Sequence, residues 1–574
     1  MHLRKHYRTV DGTRKAYWSL VESVRTERGP RQRVVAYLGE LDEAGRLGVK
    51  RAAEGNPPHR QRLLFDDVEP EWVEVDASRV RVENTQEFGG SWLGLELMHE
   101  LGLVDFLQEH LPSGHEEIPW WLMAQVLVLA RFAHPSSELH IAEHDYEHSA
   151  LKDLLGIPAE KVNDDRLYRA LDEVLPLKEG LEKFLKERLG TLFDIPYDLL
   201  LYDVTSTYFE GEAKANLLAQ RGYSRDHRPD CKQVCIGLVV TRQGLPLGYE
   251  IFAGNRSDTT TLTDIIDTME ARYGKADRIW VMDRGLASED NLEYLQEGKR
   301  RYILGTPREM LKQFEAQLLD KSWDQVHEGL EVKRCPSPDG TETYILCRST
   351  ARREKEKAIH ERFAKRLREG LEKMQRNCQK RKVKPMVLAE RVGRLKERNG
   401  RAAGLFDVEF TIGENGYAQM TWSERKEWAQ WAELSEGCYL LRTNVNDWSA
   451  EDLWQAYIQL TQAETAFRIH KSDLELRPVW HQKEERVRAH ILVCFLAYVL
   501  WKTLGQLCKR AGLGDEPRKV LEEIKQIQAV DVVLPTRTGR VIRKRCVTRP
   551  TQPQAILLDR LGLKLPRKIK MMKM

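Results

Sequence analysis

The chain has 574 residues, 41% hydrophobic and 31% charged, which is too long for one ordinary core and too apolar for a disordered polymer. Its 91 basic and 88 acidic residues leave a formal net charge of +3, so a polyanionic partner has to be met by local basic patches. The nine cysteines are scattered with no CxxC pair, which excludes a disulfide framework and predicts free thiols in a reducing, cytoplasmic setting.

The N-terminus, MHLRKHYRTVDGTRK, is basic without an apolar stretch and predicts no signal peptide. Residues 1–62 predict a small basic β-rich unit and linker. Within it YWSLVESV and RVVAYLGEL are strand-like around the basic turn TERGPRQ, and KRAAEGNPPHRQR is the linker. Residues 63–192 predict a mainly helical region able to contact DNA, because WLGLELMHELGLVDFLQEHL and WWLMAQVLVLARFAH repeat apolar residues at three and four. His140, His144 and His148 recur every fourth residue, but no carboxylate or cysteine pattern closes a site, which predicts a solvated or packed face. NDDRLYRALDEVLPLKEGLEKFLKERL predicts a capped helix, a break at Pro176 and a second helix, a pairing that some DNA-binding folds use.

Residues 193–305 change to strands. DLLLYDVTSTYFEG is one strand, and KQVCIGLVVTRQGLPLGYEIFAG is a hairpin turning at Arg242-Gln243-Gly244. SDTTTLTDIIDTMEARYG is a capped helix, RIWVMDRG a strand ending in Asp283, ASEDNLEYLQEG a helix and RYILGT a strand. Residues 306–450 read as an insertion: strand-like TYILCRS, GLFDVEFTI and GCYLLRTN surround ARREKEKAIHERFAKRLREGLEKM, a helix predicted to be solvated and laced with ion pairs. Trp422, Trp428 and Trp431 cluster there, where packing is the ordinary use of such rings. Helix returns over 451–515. Its apolar run Ile491–Leu500 is far short of the roughly 20 residues that span a bilayer and predicts a buried core helix, with His490 an interior hydrogen-bonded histidine. A basic C-terminal segment, 516–574, ends the chain.

Asp203 is the anomaly, an acid inside an apolar strand that needs a compensating partner. Asp283 at a strand end and Glu464 on the returning helix complete a possible set of three carboxylates able to hold two divalent cations. Tyr457, Glu464, Arg468 and Lys471 stand seven, four and three residues apart, which predicts one face of one helix, with the cations and the phenol along a phosphate backbone.

With these residues the chain resembles bacterial insertion-sequence DDE transposases. The narrower resemblance is to the group with the signature Tyr-x2-Arg-x3-Glu-x6-Lys, matched by Tyr457, Glu464 and Lys471 with Leu460 in place of the arginine. LYDVTSTYFEG and VMDRGLAS resemble the first two motifs. The resemblance implies an α/β fold, an RNase H-like catalytic core interrupted by the β-rich insertion and preceded by a helical region and the small β-rich unit. It also implies Asp203, Asp283 and Glu464 as catalytic metal ligands for two Mg²⁺ ions, with Mn²⁺ as substitute, and Tyr457, Arg468 and Lys471 as DNA-binding residues. The implied activity is strand cleavage and strand transfer on double-stranded DNA, at terminal inverted repeats and target, by a homodimer in a synaptic complex. The rival readings are a nuclease without strand transfer and a non-enzymatic transposase-derived DNA-binding protein.

Overall fold

The computed structural model describes residues 2–10, 13–26, 29–39, 73–111, 114–337, 340–413 and 416–566. The expected linker KRAAEGNPPHRQR and the last residues of the basic C-terminal segment lie outside them. The chain divides into two compact units, one of Met1–Arg8, Lys15–Trp280 and Gln459–Met574, the other of Thr9–Arg14 and Val281–Ile458.

The N-terminal strands β1 (His2–Val10), β2 (Thr13–Thr26) and β3 (Gly29–Gly39) form a sheet in that order, as the β-rich reading of this region requires. After β4 (Arg81–Glu87) come α1 (Gly89–Glu100), α2 (Trp120–Ala133), α3 (Asp164–Val174) and α4 (Lys178–Phe193). The Asn163 side chain caps α3 by accepting from the Arg166 amide, and a 3₁₀ turn at Leu175–Leu177 carries Pro176 between α3 and α4. Leu167, Ala170, Leu171 and Val174 recur at helical spacing and bury the face of α3 that packs on α2. The three histidines line an exposed helix with a π-helical turn at Ile141–Asp145. A carboxylate does join two of them: Asp145 Oδ1 lies 3.3 Å from both His140 Nε2 and His144 Nδ1, in a register that four-residue spacing did not suggest.

β5 (Leu199–Tyr208), β6 (Gln233–Thr241) and β7 (Pro246–Ala253) are an antiparallel meander, with Gly244 at φ +75° in the predicted turn. Helix α5 (Leu262–Tyr273) leads to β8 (Ile279–Met282), giving the strand order β7-β6-β5-β8. Val281 and Met282 of β8 already belong to the second unit, where the next strand in the order is β9 (Arg301–Gly305), reached through α6 (Glu289–Glu297). The elements therefore succeed one another as the sequence predicts, in an α/β, RNase H-like core.

The insertion then builds β10 (Asp324–His327), β11 (Leu330–Pro336), β12 (Thr343–Ser349), α7 (Thr350–Lys380), α8 (Pro385–Arg398), β13 (Phe406–Ile412), β14 (Ala418–Glu424), α9 (Lys426–Ser435) and β15 (Cys438–Thr443). Its strands have two fates. β15 pairs with both β9 and β12, so the order β9-β15-β12-β11-β10 lengthens the sheet, whereas β13 and β14 form a separate hairpin. The long helix α7 is exposed over much of its length and carries ion pairs such as Arg352–Glu356, 2.9 Å. Its inner side is not solvated: Ala364, Leu367 and Leu371 share a core with Leu388, Val392, Phe406 and Met420.

The second unit closes with α10 (Ala450–Ile458). The first resumes with α11 (Thr461–Arg468), a π-helical turn at Ile469–Asp473, α12 (Glu484–Arg510), α13 (Pro517–Ile524), β16 (Gln528–Pro535), β17 (Val541–Val547) and α14 (Gln552–Arg560). By length and composition α12 could cross a membrane, but it is the core of this unit, buried against α1, α2 and α3. The basic C-terminal segment is folded through its described part. β16 pairs with β4 and β17, and the Arg545 guanidinium is neutralised by Asp531 at 2.7 Å and by Asp153.

One polar cluster ties this core together. Glu138 is buried with His490 Nδ1 at 3.3 Å and His481 Nε2 at 3.2 Å, and Arg131 approaches to 3.8 Å. Arg131 also donates to the carbonyls of Leu474 and Glu475, just beyond the π turn. Burial opposes the charge of Glu138, but the two histidines outweigh it and hold the carboxyl well below its usual range. Burial likewise opposes charge on His490, and Cys494 and Glu138 overcome it, raising its pKa from 6.5 to about 9.

Because the folded state raises the pKa of His490, its stabilisation is present below pH 6.5 and fades as pH rises through about 9. Urea unfolding across that window should show wild-type stability falling and His490→Gln, already less stable, losing this dependence. Equal slopes in the two proteins would contradict the assignment. Leu492→Ala, at a fully buried position of α12, should cost about 2–5 kcal/mol in the same assay.

Candidate active site

Asp203 sits midway along β5, opposite Leu238 of β6, and is half-buried between apolar neighbours. Its Oδ1 accepts from the Val204 amide at 2.8 Å. α11 packs across β5 and β6, which brings the helix of Glu464 onto the sheet that carries Asp203. Glu464 lies in the first turn of α11, where the helix dipole favours a carboxylate, and it is exposed with no ion pair among the described residues. Arg468, in the last turn, is exposed as well. Lys471 is different. Its ammonium donates to Asp226 Oδ1 at 2.8 Å and its side chain is only 10% exposed, so it is clamped rather than extended into solvent. Burial lowers its pKa, and Asp226 counters that only in part.

In the second unit Asp283 follows β8 directly and is exposed. It accepts from the Tyr457 hydroxyl at 3.2 Å and has no ion pair among the described residues. Burial, then Asp283, raises the pKa of that phenol, so it serves as a donor and not as an acid. Both residues line a cavity of about 760 Å³ whose wall includes Arg284, Arg308, Arg352, Arg401, Trp428 and Trp431. Gly305 lets Tyr457 reach this place, because a Cβ there would stand 2.4 Å from the phenol oxygen.

The single helical face expected for Tyr457, Glu464, Arg468 and Lys471 is not formed. α10 ends at Ile458, a turn at Gln459-Leu460 intervenes, and the π turn rotates Lys471 out of α-helical phase. Tyr457 thus belongs to the unit of Asp283, and the other three to the unit of Asp203. Leu460 is 9% exposed and packs as an apolar residue at the head of α11. Sequence reasoning missed Asp226 and Arg477, the second cation on that carboxylate. Both lie outside any periodic segment, and no local signal marks them.

Two groups of His, Asp and Glu hold all their ligand atoms within 4.8 Å among the described residues: Glu138 with His481 and His490, and His140 with His144 and Asp145. Neither contains Asp203, Asp283 or Glu464. The donor chemistry at those three positions is nevertheless that of a hard divalent cation, carboxylate oxygen only, and Asp283 and Glu464 lack a competing cation. All three tryptophans pack as expected, Trp422 on Phe406 at 5.7 Å between ring centroids, Trp428 against the core of Leu367 and Phe406, and Trp431 against that of Cys438 and Leu440, and the last two also line the cavity.

Residues 195–500 match the family described as Transposase DDE domain, and residues 3–64 match the N-terminal domain of IS1634 family transposases. A solved structure of a piggyBac transposase synaptic complex with hairpin DNA aligns over 82% of this chain and 79% of that one, at 8% identity and a TM-score of 0.33. No curated protein matches the chain.

Isosteric removal of the phenol tests the Asp283 contact. Tyr457→Phe should leave the melting temperature within about 2 °C, since a single hydrogen bond at an exposed carboxylate contributes on the order of 1 kcal/mol or less. The same variant should slow DNA cleavage, and cleavage at the wild-type rate would remove Tyr457 from the site.

Proposed function

The chain belongs to the transposases with a DDE domain, and from that premise we propose that it binds the terminal inverted repeats of an insertion sequence and catalyses strand cleavage followed by strand transfer into target DNA. The observation that carries the chemistry is the pair of carboxylates, Asp283 and Glu464, that end or cap core elements without a cation of their own. Asp203, Asp283 and Glu464 would hold two divalent ions, Mg²⁺ or Mn²⁺, whose contribution when bound is to activate the attacking oxygen and stabilise the leaving oxygen of a phosphodiester.

The protein's own residues do the rest. Tyr457 orients Asp283 through its hydroxyl. Arg468, exposed in the last turn of α11, would pair with a backbone phosphate. Lys471 and Arg477 share the single charge of Asp226, which leaves that corner with one positive charge in excess and suits it to a second phosphate. Trp428 and Trp431, in a cavity edged by arginines, offer stacking faces for a base displaced from the duplex end. A homodimer in a synaptic complex would let each active site work on one of two ends.

The discriminating assay incubates the protein with Mg²⁺, labelled element ends and a target plasmid. Joined products are expected, and ends that are cut but never joined would support the nuclease reading. Asp203→Asn, Asp283→Asn and Glu464→Gln should each abolish cleavage while retaining binding to the ends, and wild-type cleavage by any of them would remove that residue from the site. Lys471→Ala should weaken binding at moderate salt and reduce the salt slope by about one phosphate contact. An unchanged slope would deny Lys471 that role.

A further inference from the structure

The connection between β5 and β6, residues 209–232, leaves the strand of Asp203 and is fastened along its length. The Phe209 amide donates to the Lys232 carbonyl at 2.9 Å, and the Glu210 amide to the Val479 carbonyl at 3.0 Å. The Gln482 side chain accepts from the Ala213 amide at 2.8 Å, and Gln220 exchanges backbone hydrogen bonds with Gln233. Gly222 lies so close to Gly254 that a Cβ on it would stand 2.1 Å from the Gly254 carbonyl oxygen. Ala213, Asn216 and Ala219 point inward and are buried. Asp226, its side chain 2% exposed, ends the fastening by receiving Lys471 and Arg477.

Against this anchored backbone, two large side chains point away from the protein. Tyr223 is 84% exposed and Leu217 81%. Tyr223 is held by its carbonyl, which accepts from Gln233 Nε2 at 3.1 Å, so its backbone is fixed while its ring makes no aromatic or cation–π contact among the described residues. Arg221, also exposed, has no ion pair among the described residues, and the neighbouring Lys471–Arg477–Asp226 group carries an excess positive charge. A rigidly presented ring beside uncompensated cations matches a ligand that offers both π faces and phosphates.

We propose that residues 217–226 form a DNA-end contact in which Tyr223 stacks on a base at the open terminus of the substrate duplex, Arg221 pairs with the adjacent phosphate, and Asp226 is the positioning residue that keeps this arm in register with the helix carrying Glu464. The proposal rests on the DNA transposase reading and assigns a contact outside the signature residues. The cationic surroundings favour DNA over a second copy of the chain as the occupant.

The experiment uses the full-length protein and a duplex copied from the DNA flanking its coding region, with 2-aminopurine at the terminal position. Wild type should bind and change the probe's fluorescence. Tyr223→Ala should weaken binding about tenfold and abolish the fluorescence change, Tyr223→Phe should restore both, and Arg221→Ala should lower the salt slope by about one. Asp226→Asn should weaken end binding, and its effect should vanish in a background carrying both Lys471→Ala and Arg477→Ala. Wild-type binding and fluorescence in Tyr223→Ala overturn the arm contact alone, because the wild type still binds ends. A wild type that binds no end overturns the transposase reading with it. A Tyr223→Ala chain with a changed oligomeric state and unchanged DNA binding reassigns the ring to a protein interface and overturns the proposal.

Discussion

An ionised carboxylate in or beside an apolar core has to be balanced, and this protein balances its structural ones with consistency. Glu138 is met by two histidines and Arg131, and Glu182 by Lys178 and Arg272. Glu342 is met by Arg442, Asp531 by Arg545, and Asp226 by Lys471 and Arg477. Against that background Asp283 and Glu464 stand out. Each is fixed by an element of the core, and neither has an ion-pair partner among the described residues. Both are exposed, so solvent can carry their charge where the buried acids need a partner side chain.

The succession of core elements was legible because each carries its signal locally. β6 is buried at every position and reads as a continuous apolar run, and Asn163 and Ser288 cap their helices as sequence rules anticipate. Pairing that depends on distant partners was not legible. Nothing within GCYLLRTN says that Leu441 will lie opposite Gly305 and Tyr439 opposite Cys347, which turns apparent insertion strands into part of the main sheet. The break after Ile458 was hidden for another reason. Apolar residues keep helical spacing through WQAYIQLTQAETAF, so periodicity runs straight across the point where the chain passes from one unit to the other. The carboxylates of the site were legible as types, and their surroundings were not. Asp226 lies in a polar connection without period, and only the fold reveals that it takes up Lys471.

The insertion has a structural consequence for the site within the second unit. By returning through β15 alongside β9, the chain delivers α10 with its last turn beside Asp283. Gly305 belongs to the same arrangement, since any side chain on it would collide with Tyr457. The phenol is thus held by sheet pairing on one side and by the absence of a side chain on the other. A hydrogen bond built this way favours one orientation of the Asp283 carboxylate.

The near-zero net charge then bears on how such a protein meets DNA. Much of its basicity is spent internally. Arg545 and Arg543 of the C-terminal sheet face Asp531, Asp153 and Glu83, and Arg308 and Arg352 share Glu356. The cations left without a matching acid among the described residues include Arg284 and Arg401 in the cavity wall of the second unit, and Arg221 and Arg468 in the first. Long-range attraction by the whole molecule is therefore weak, and the salt dependence of binding has to arise from local groups of cations. Such an arrangement disfavours indiscriminate coating of duplex DNA, because only a substrate whose phosphates reach several of these cations recovers the counterion-release energy. A duplex end differs from an uninterrupted helix in exposing a base face to stacking, while its phosphates lie on one side only.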